Sequence, residues 1–339
     1  MSGITAAQLK HIIDARNLTK VYKGETRPAV DSISFTIDEG EVYGLLGPNG
    51  AGKTTTINML TTRLSSTSGD ASVAGHDINR HSINIRRIIG VVPQDMTADE
   101  DFSGMENLLM VASFYDVPKK IAVERANRLL QMVDLTDAAE KHVREYSGGM
   151  RKRLELIIGL INEPKVLFLD EPTLGLDVQT RTVMWDYIKG LKKQFNMTII
   201  LTSHYLEEVD ALADRVSIVD HGKIIVTGTP SELKASLNGD IITLGFRDSK
   251  AGDVIKSFPG VLEVLPSAQG TMKLRVANAD IALPSLMAFV FQKGISLTTL
   301  TVQKPSLDEV FLRYTGRSLR EEGAADGFKT MINMRRARR

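Results

Sequence analysis

The chain has 339 residues, room for two domains of ordinary size, and its 42 Lys+Arg nearly balance its 41 Asp+Glu. That balance argues against a dedicated nucleic-acid binder, which carries a basic excess. The absence of cysteine excludes disulfide and thiol chemistry and fits a reducing compartment. No apolar run approaches the length of a membrane span, and the first residues lack the charged-then-apolar layout of a signal peptide. The chain is therefore expected to be soluble or peripheral, with any membrane spans supplied by a partner.

In chain order, residues 1–10 read as a short lead. Residues 12–73 read as short strands interrupted by a Gly-rich loop and its helix, and 88–92 ("IIGVV") as a further strand. Residues 103–161 are mainly helical. Three apolar strands follow, each closed by polar residues: "VLFLD" (166–170), "TIILTSH" (198–204) and "RVSIVD" (215–220). Apolar strands separated by helices indicate a parallel sheet covered on both faces. "HGKIIVTGTP" reads as a closing hairpin strand and turn, and "PSELKAS" as a helix that ends the first domain near residue 238. From 239 to 318 the predicted order is βαββαβ with a hairpin around Gly270, the pattern of a small ferredoxin-like α+β domain, followed by a helix "SLDEVFLRYTG". Residues 319–339 form a polar tail ending "RRARR", whose basic run suits a solvated tail or contact with anionic lipid.

Chemistry is concentrated in the first domain. "GPNGAGKT" (47–54) fills the pattern G-x-x-x-x-G-K-[ST] in full, between a strand-like "EVYGLL" and a helix-like "TTTINMLTT". Glycines let backbone N–H groups converge on phosphate oxygens; Lys53 would bridge the β- and γ-phosphates, and Thr54 would offer an oxygen to Mg2+. "VLFLDE" sets Asp170 and Glu171 at the end of a buried strand, where Asp170 suits Mg2+ and Glu171 suits polarising a water. Gln94 lies just past a strand, His204 ends another, and Tyr22 could stack on a base. "SGG" (147–149) opens a helix with apolar residues at Met150, Leu154, Ile157, Ile158 and Ile161, and a helix start of this kind suits a phosphate. The chain thus carries two phosphate-suited helix starts.

In this order the motifs resemble an ATP-binding cassette (ABC) ATPase over residues 12–234. Gly47 to Thr54 match Walker A, Gln94 the Q-loop, "YSGGM" (146–150) the signature, residues 166–170 with Glu171 Walker B, "LGLD" (174–177) the D-loop, and His204 the switch histidine. The signature departs from the commonest L-S-G-G-Q at Tyr146 and Met150. The resemblance implies an α/β phosphate-loop NTPase cassette with a β-subdomain and a helical subdomain. It implies nucleotide contacts from Tyr22, Gly47, Pro48, Asn49, Gly50, Ala51, Gly52, Lys53, Thr54 and Thr55. Mg2+ would lie at Thr54, Gln94 and Asp170, and Glu171, His204 and Gln94 would be catalytic. It also answers why a second phosphate site exists: two cassettes would pack head to tail, with Ser147, Gly148, Gly149 and Asp177 facing ATP held by a second subunit. One cassette per chain implies a homodimer.

"YSGGMRKRL" and the C-terminal "PSLDEVFLRYTGR" further resemble the daunorubicin-resistance branch of exporters. This implies an ATP-hydrolysing motor at the cytoplasmic face of the membrane, peripheral to a separately encoded permease met near Gln94 and residues 96–108. Two other classes compete: an importer motor with a regulatory C-terminal domain, and a soluble ABC ATPase working on ribosomes or DNA. Neither a second cassette nor a long coiled-coil insertion supports the latter, and no nucleic-acid partner is expected.

Overall fold

The computed structural model describes residues 11–237, 239–246, 251–265, 267 and 270–316; the expected lead and basic tail lie outside them. Among the described residues the chain divides into two compact units between Pro230 and Ser231.

The first unit holds two sheets. A six-stranded sheet has the order β10-β9-β3-β8-β7-β6, built from β3 (Val42–Leu46), β6 (Ile89–Val92), β7 (Val166–Asp170), β8 (Thr198–Ser203), β9 (Arg215–Asp220) and β10 (Lys223–Gly228). Its neighbours are parallel except for β9 and β10, which form the antiparallel hairpin expected of "HGKIIVTG". Every residue of β3, β7 and β8 is buried. This is why their sequences run apolar without alternation: a parallel sheet covered on both faces leaves no wet side. A second, antiparallel sheet has the order β2-β1-β4-β5, from β1 (Ile13–Lys20), β2 (Val30–Ile37), β4 (Ser68–Val73) and β5 (His76–Asp77). Ile13, Leu18 and Ile37 of that sheet share one core with Leu45, Phe168 and Ile200 of the other, and with Ile57 and Leu60 of helix Lys53–Leu60. The helix after the Gly-rich loop is thereby gripped on its apolar side while its N-terminus stays at the sheet edge.

The expected helical stretch contains helices Gly104–Phe114, Lys119–Met132 and Gly148–Ile158. The first begins with a capping box: the Ser103 hydroxyl accepts from the Glu106 N–H (3.2 Å) and the Glu106 carboxylate from the Ser103 N–H (2.7 Å).

The second unit bears out the βαββαβ expectation. Strands β11 (Asp240–Phe246), β12 (Val261–Leu265), β13 (Thr271–Val276) and β14 (Leu297–Gln303) form a sheet of order β12-β13-β11-β14, antiparallel throughout. Helix Ala279–Gln292 covers one face through Leu286 and Val290, packed on Ile242, Leu244 and Leu274. An open groove of about 850 Å³ lies elsewhere in this unit, lined by leucines 237, 262, 265 and 312 together with Lys273 and Arg275.

Candidate functional site

The register of the parallel sheet gathers the motif residues at one edge. Leu46 pairs with Ser203 and Asp170 with Thr202, so the Gly-rich loop after β3, the acids ending β7 and the histidine after β8 emerge side by side. Carboxyl ends of parallel strands are where open α/β sheets hold ligands. The loop is fitted tightly to its neighbours. Gly52 takes φ +102°, and a Cβ there would lie 2.4 Å from the carbonyl oxygen of Ala29. Gly52 precedes helix Lys53–Leu60, which has no side-chain cap. Its first N–H groups therefore point outward without an intrahelical partner, as an anion site requires.

Lys53 is only 5% exposed. Its Nζ donates to the carbonyl oxygens of Gly47 (2.6 Å) and Pro48 (3.1 Å) and lies 3.2 Å from Glu171 Oε1. The other oxygen of Glu171 lies 2.7 Å from His204 Nδ1. Two opposed effects act on that carboxyl. Burial pushes its pKa up, but the His204 hydrogen bond and the Lys53 charge outweigh burial and hold it below its ordinary 4.5. Glu171 is thus held ionised in a place that would otherwise favour the neutral acid. Its backbone takes φ +52°, a left-handed conformation that a non-glycine residue adopts only where the surroundings enforce it. The enforcement is visible: Glu171 N–H donates to Thr202, at the carbonyl (3.2 Å) and at Oγ1 (3.1 Å).

Thr54 Oγ1 donates to Asp170 Oδ1 at 3.0 Å, and Thr202 Oγ1 donates to the same oxygen at 2.5 Å. One hydroxyl and one carboxylate make too few ligands for an all-protein cage. No cluster of three or more metal-ligating side chains exists among the described residues. The pair fits Mg2+, which typically takes one or two protein oxygens and completes its octahedron with water and phosphate. The uncapped helix start and buried Lys53 fit the phosphates.

Tyr22 is 42% exposed, with its hydroxyl 3.3 Å from Thr55 Oγ1, so an aromatic face stands beside the loop. Gln94 follows β6 at the same sheet edge but is exposed. The hydrogen bonds of the Lys53–Glu171–His204 cluster and of Asp170 do not include it; its backbone carbonyl accepts from Lys152 Nζ at 3.1 Å.

The second phosphate-suited start is a separate place. Ser147 caps helix Gly148–Ile158 by accepting from the Met150 N–H at 3.3 Å. A Cβ at Gly148 would meet open space. These residues line a cleft of about 470 Å³ with Gly175, Asp177, Gln179 and Thr180, and no residue of the Gly-rich loop belongs to it. Asp177 caps the next helix, Val178–Phe195, accepting from the Thr180 N–H (2.9 Å) and hydroxyl (2.6 Å). Those bonds outweigh a small burial effect and lower its pKa. Tyr146, the unusual signature residue, is buried, and its hydroxyl donates to the Ala138 carbonyl at 2.6 Å. It packs under Gly104, where a Cβ would lie 2.4 Å from that hydroxyl. Its contacts are internal to the helical segment, with Ala138 and Gly104, and it does not line the cleft of Ser147–Gly149.

The sequence reading missed two groups. Glu208 is fully buried; its Oε1 accepts from Thr173 Oγ1 (2.7 Å) and Trp185 Nε1 (3.1 Å), tying the helix after His204 to the segment after Glu171. Burial raises the Glu208 pKa against the pull of those bonds. A run "LEEV" reads from sequence as an exposed acidic turn, and nothing in it marks which acid faces inward. Glu155 likewise sits unmarked among the apolar positions of the helix it belongs to. The acids near Gln94 are partly neutralised within the unit: Glu100 pairs with Arg151 (2.6 Å) and Asp101 with Arg144 (3.2 Å).

Comparison with known proteins identifies the family. The ABC transporter family model matches residues 30–174, and the model for the C-terminal domain of DrrA1-3-like ATP-binding proteins matches residues 228–315. The chain is 39% identical to the daunorubicin resistance ATP-binding protein DrrA3 of Streptomyces coeruleorubidus, over 88% of this chain and 95% of that one. The chain belongs to the ABC transporter ATP-binding family. It is also 36% identical to the linearmycin resistance ATP-binding protein LnrL of Bacillus subtilis, over 91% of this chain and all (100%) of that one. Among solved structures, the ATP-binding cassette MJ1267 in its ADP conformation superposes with a TM-score of 0.59 at 26% identity, covering 66% of this chain and 92% of that chain. The protein is an ATP-hydrolysing ABC ATPase of an exporter-type family, and the expectations of family, cassette fold and enzyme class hold. No described helix is long and apolar enough to cross a membrane.

Proposed function

We propose that this ABC ATPase is the motor of an exporter and works as a head-to-tail homodimer on a separately encoded permease. The observation that carries the dimer is the pair of phosphate-suited helix starts on one chain, one at Lys53 and one at Ser147, with no residue of the first in the cleft of the second. A single chain has no use for two γ-phosphate sites unless each serves a different nucleotide. In a pair related by a twofold axis, the Ser147–Gly149 start and Asp177 of one subunit close over ATP held by residues 47–55 of the other. The resistance ATP-binding proteins to which the chain is similar support export over import, and the match of residues 228–315 extends that support to the second unit.

Each residue then has a role. Backbone N–H groups of the loop from Asn49 to Thr55 hold the phosphates, Tyr22 stacks on the base, and Lys53 turns from the Gly47 and Pro48 carbonyls to the β- and γ-phosphates. Mg2+, held through Thr54, Asp170 and Gln94, would neutralise charge on the β- and γ-oxygens. Glu171, ionised and aimed by His204, takes a proton as a water oxygen attacks the γ-phosphorus. The bond to the bridging oxygen breaks, giving ADP and inorganic phosphate. His204 keeps the carboxylate oriented and would contact the γ-phosphate. The Gln94 side chain is exposed and would reach the metal and attacking water, while its backbone carbonyl stays bonded to Lys152. Residues 1–238 act as the cassette, 239–318 as an accessory domain for dimerisation or regulation, and 319–339 as a basic tail. The site of action is the cytoplasmic face of the membrane.

The test is recovery of the tagged chain from gently solubilised native membranes, with Lys53→Ala as the control for ATP dependence. A stoichiometric multi-span protein is expected. Recovery from the cytosol alone, with ribosomal or DNA-repair proteins, would overturn the transporter role and leave the ATPase chemistry standing.

A further inference from the structure

The segment that follows Gln94 is held by the signature helix through a carboxylate that no nucleotide motif requires. Glu155 lies about two turns into helix Gly148–Ile158 and is 2% exposed. Its Oε1 accepts from the N–H groups of Thr97 (2.7 Å) and Ala98 (2.7 Å), and its Oε2 from the Thr97 hydroxyl (2.8 Å). One turn earlier on the same helix face, Lys152 Nζ donates to the Gln94 carbonyl at 3.1 Å. The backbone from 94 to 98 is therefore fastened at both ends to one short, rigid rod. The N-terminus of that rod is Ser147–Gly149.

A buried carboxylate is costly unless donors replace its water. Here three donors do so, all from one segment of an irregular loop. Charge-assisted bonds of this length are the stronger kind, and a bidentate grip fixes direction as well as distance. An apolar side chain at 155 would fill the space but take the carboxylate from two loop N–H groups, that of Ala98 on a buried residue. The arrangement is also asymmetric in function. Gln94 belongs to the site of this chain's own nucleotide, while Ser147–Gly149 belongs to the cleft that serves the other subunit's. The only hydrogen bonds recorded between the 94–98 segment and the signature helix, among the described residues, are those of Glu155 and Lys152.

We propose that Glu155 is a positioning residue that locks the segment after Gln94 to the signature helix, so that a displacement at Gln94 moves Ser147–Gly149 with it. This rests on the head-to-tail reading above, because the coupled ends serve different nucleotides. Glu155 touches no reacting atom; it acts by keeping two sites in one rigid body. Lys152 adds a second, weaker tether from the same face.

The test uses the full chain with Glu155→Ala and Glu155→Gln, followed by native-state amide exchange and ATP turnover. Gln keeps an oxygen for the Thr97 and Ala98 N–H groups, and the Thr97 hydroxyl can reverse to accept from its amide. Glu155→Ala is expected to speed exchange at Thr97 and Ala98 by about tenfold or more, and to lower kcat by a similar factor with KM for ATP within about twofold. Glu155→Gln should restore most of both. Unchanged exchange in the Ala variant overturns the clamp. Faster exchange with wild-type kcat overturns the positioning role, as does a parallel loss of kcat and KM that Gln fails to rescue. If Glu155→Ala does not fold, Thr97→Val removes one donor alone and should still lower kcat; wild-type turnover in that variant counts against the proposal. Absence of ATP turnover in the wild-type chain would overturn the ATPase reading itself, and this inference with it.

Discussion

Replacing His204 with Ala perturbs Glu171 without touching the phosphate loop. The bond removed is short, 2.7 Å, and joins a carboxylate that is almost wholly buried to an imidazole about one-quarter exposed (6% and 25%). A hydrogen bond to a charged partner in such a place contributes about 1.5–3 kcal/mol. If that energy keeps the carboxylate ionised and aimed, its loss lowers kcat roughly 10- to 150-fold. A second signature follows from the sign of the shift. Burial pushes the Glu171 carboxyl up, and His204 and Lys53 hold it net below 4.5. A depressed carboxylate contributes stability and activity above its unfolded pKa, and both are lost as pH falls through the folded value. Without His204, burial gains weight and the acid limb of the pH–kcat curve moves to higher pH. The assay is phosphate release under saturating Mg-ATP across the acid-to-neutral range, with nucleotide binding followed separately by a fluorescent analogue. A kcat within about twofold of wild type, with the acid limb in place, would refute the claim that His204 sustains Glu171.

Two further outcomes are expected. Tyr146→Phe removes the hydroxyl that reaches the Ala138 carbonyl, but that carbonyl also accepts from the Lys141 N–H (3.0 Å). The cost should therefore sit near the low end, about 1 kcal/mol, read as a melting shift of about 2–4 °C with ATP affinity unchanged; lost affinity would place Tyr146 in the nucleotide site. Ending the chain after residue 238 removes the β11–β14 sheet and its helices. Nucleotide binding should survive while dimerisation or its regulation weakens, and equilibrium binding with sedimentation separates the two; loss of binding would show that the cassette needs that unit.

Much of this was legible because phosphate chemistry leaves local marks. Gly52, Lys53 and Thr54 must be adjacent for one loop to do their work, so the motif reads as a word. The ferredoxin-like order of the second unit was legible because Gly270, with φ +80°, and the alternation in "TMKLRV" punctuate it. What escaped are the residues whose meaning depends on a partner far along the chain. Thr202 orients both Asp170 and the Glu171 backbone, yet it sits in an apolar strand as one more β-branched residue. Glu155 and Glu208 look like solvated helix acids until the fold brings loop N–H groups to the first and Thr173 and Trp185 to the second. Gln94 shows the converse: sequence places it at the metal, and the structure holds it at the right sheet edge but exposed.

The most direct measurement is the mass in solution of Glu171→Gln with and without Mg-ATP. Gln keeps a hydrogen-bond acceptor for Lys53 but cannot take a proton from water, so the ATP-bound pair should form and persist. Turnover should fall by about 10²–10⁴, the usual weight of a general base. A monomer with Mg-ATP absent that becomes a stable dimer with it, and returns to monomer on adding Lys53→Ala to the same chain, is the result expected of a head-to-tail ATP sandwich. A monomer at saturating nucleotide, or wild-type turnover in Glu171→Gln, would contradict it.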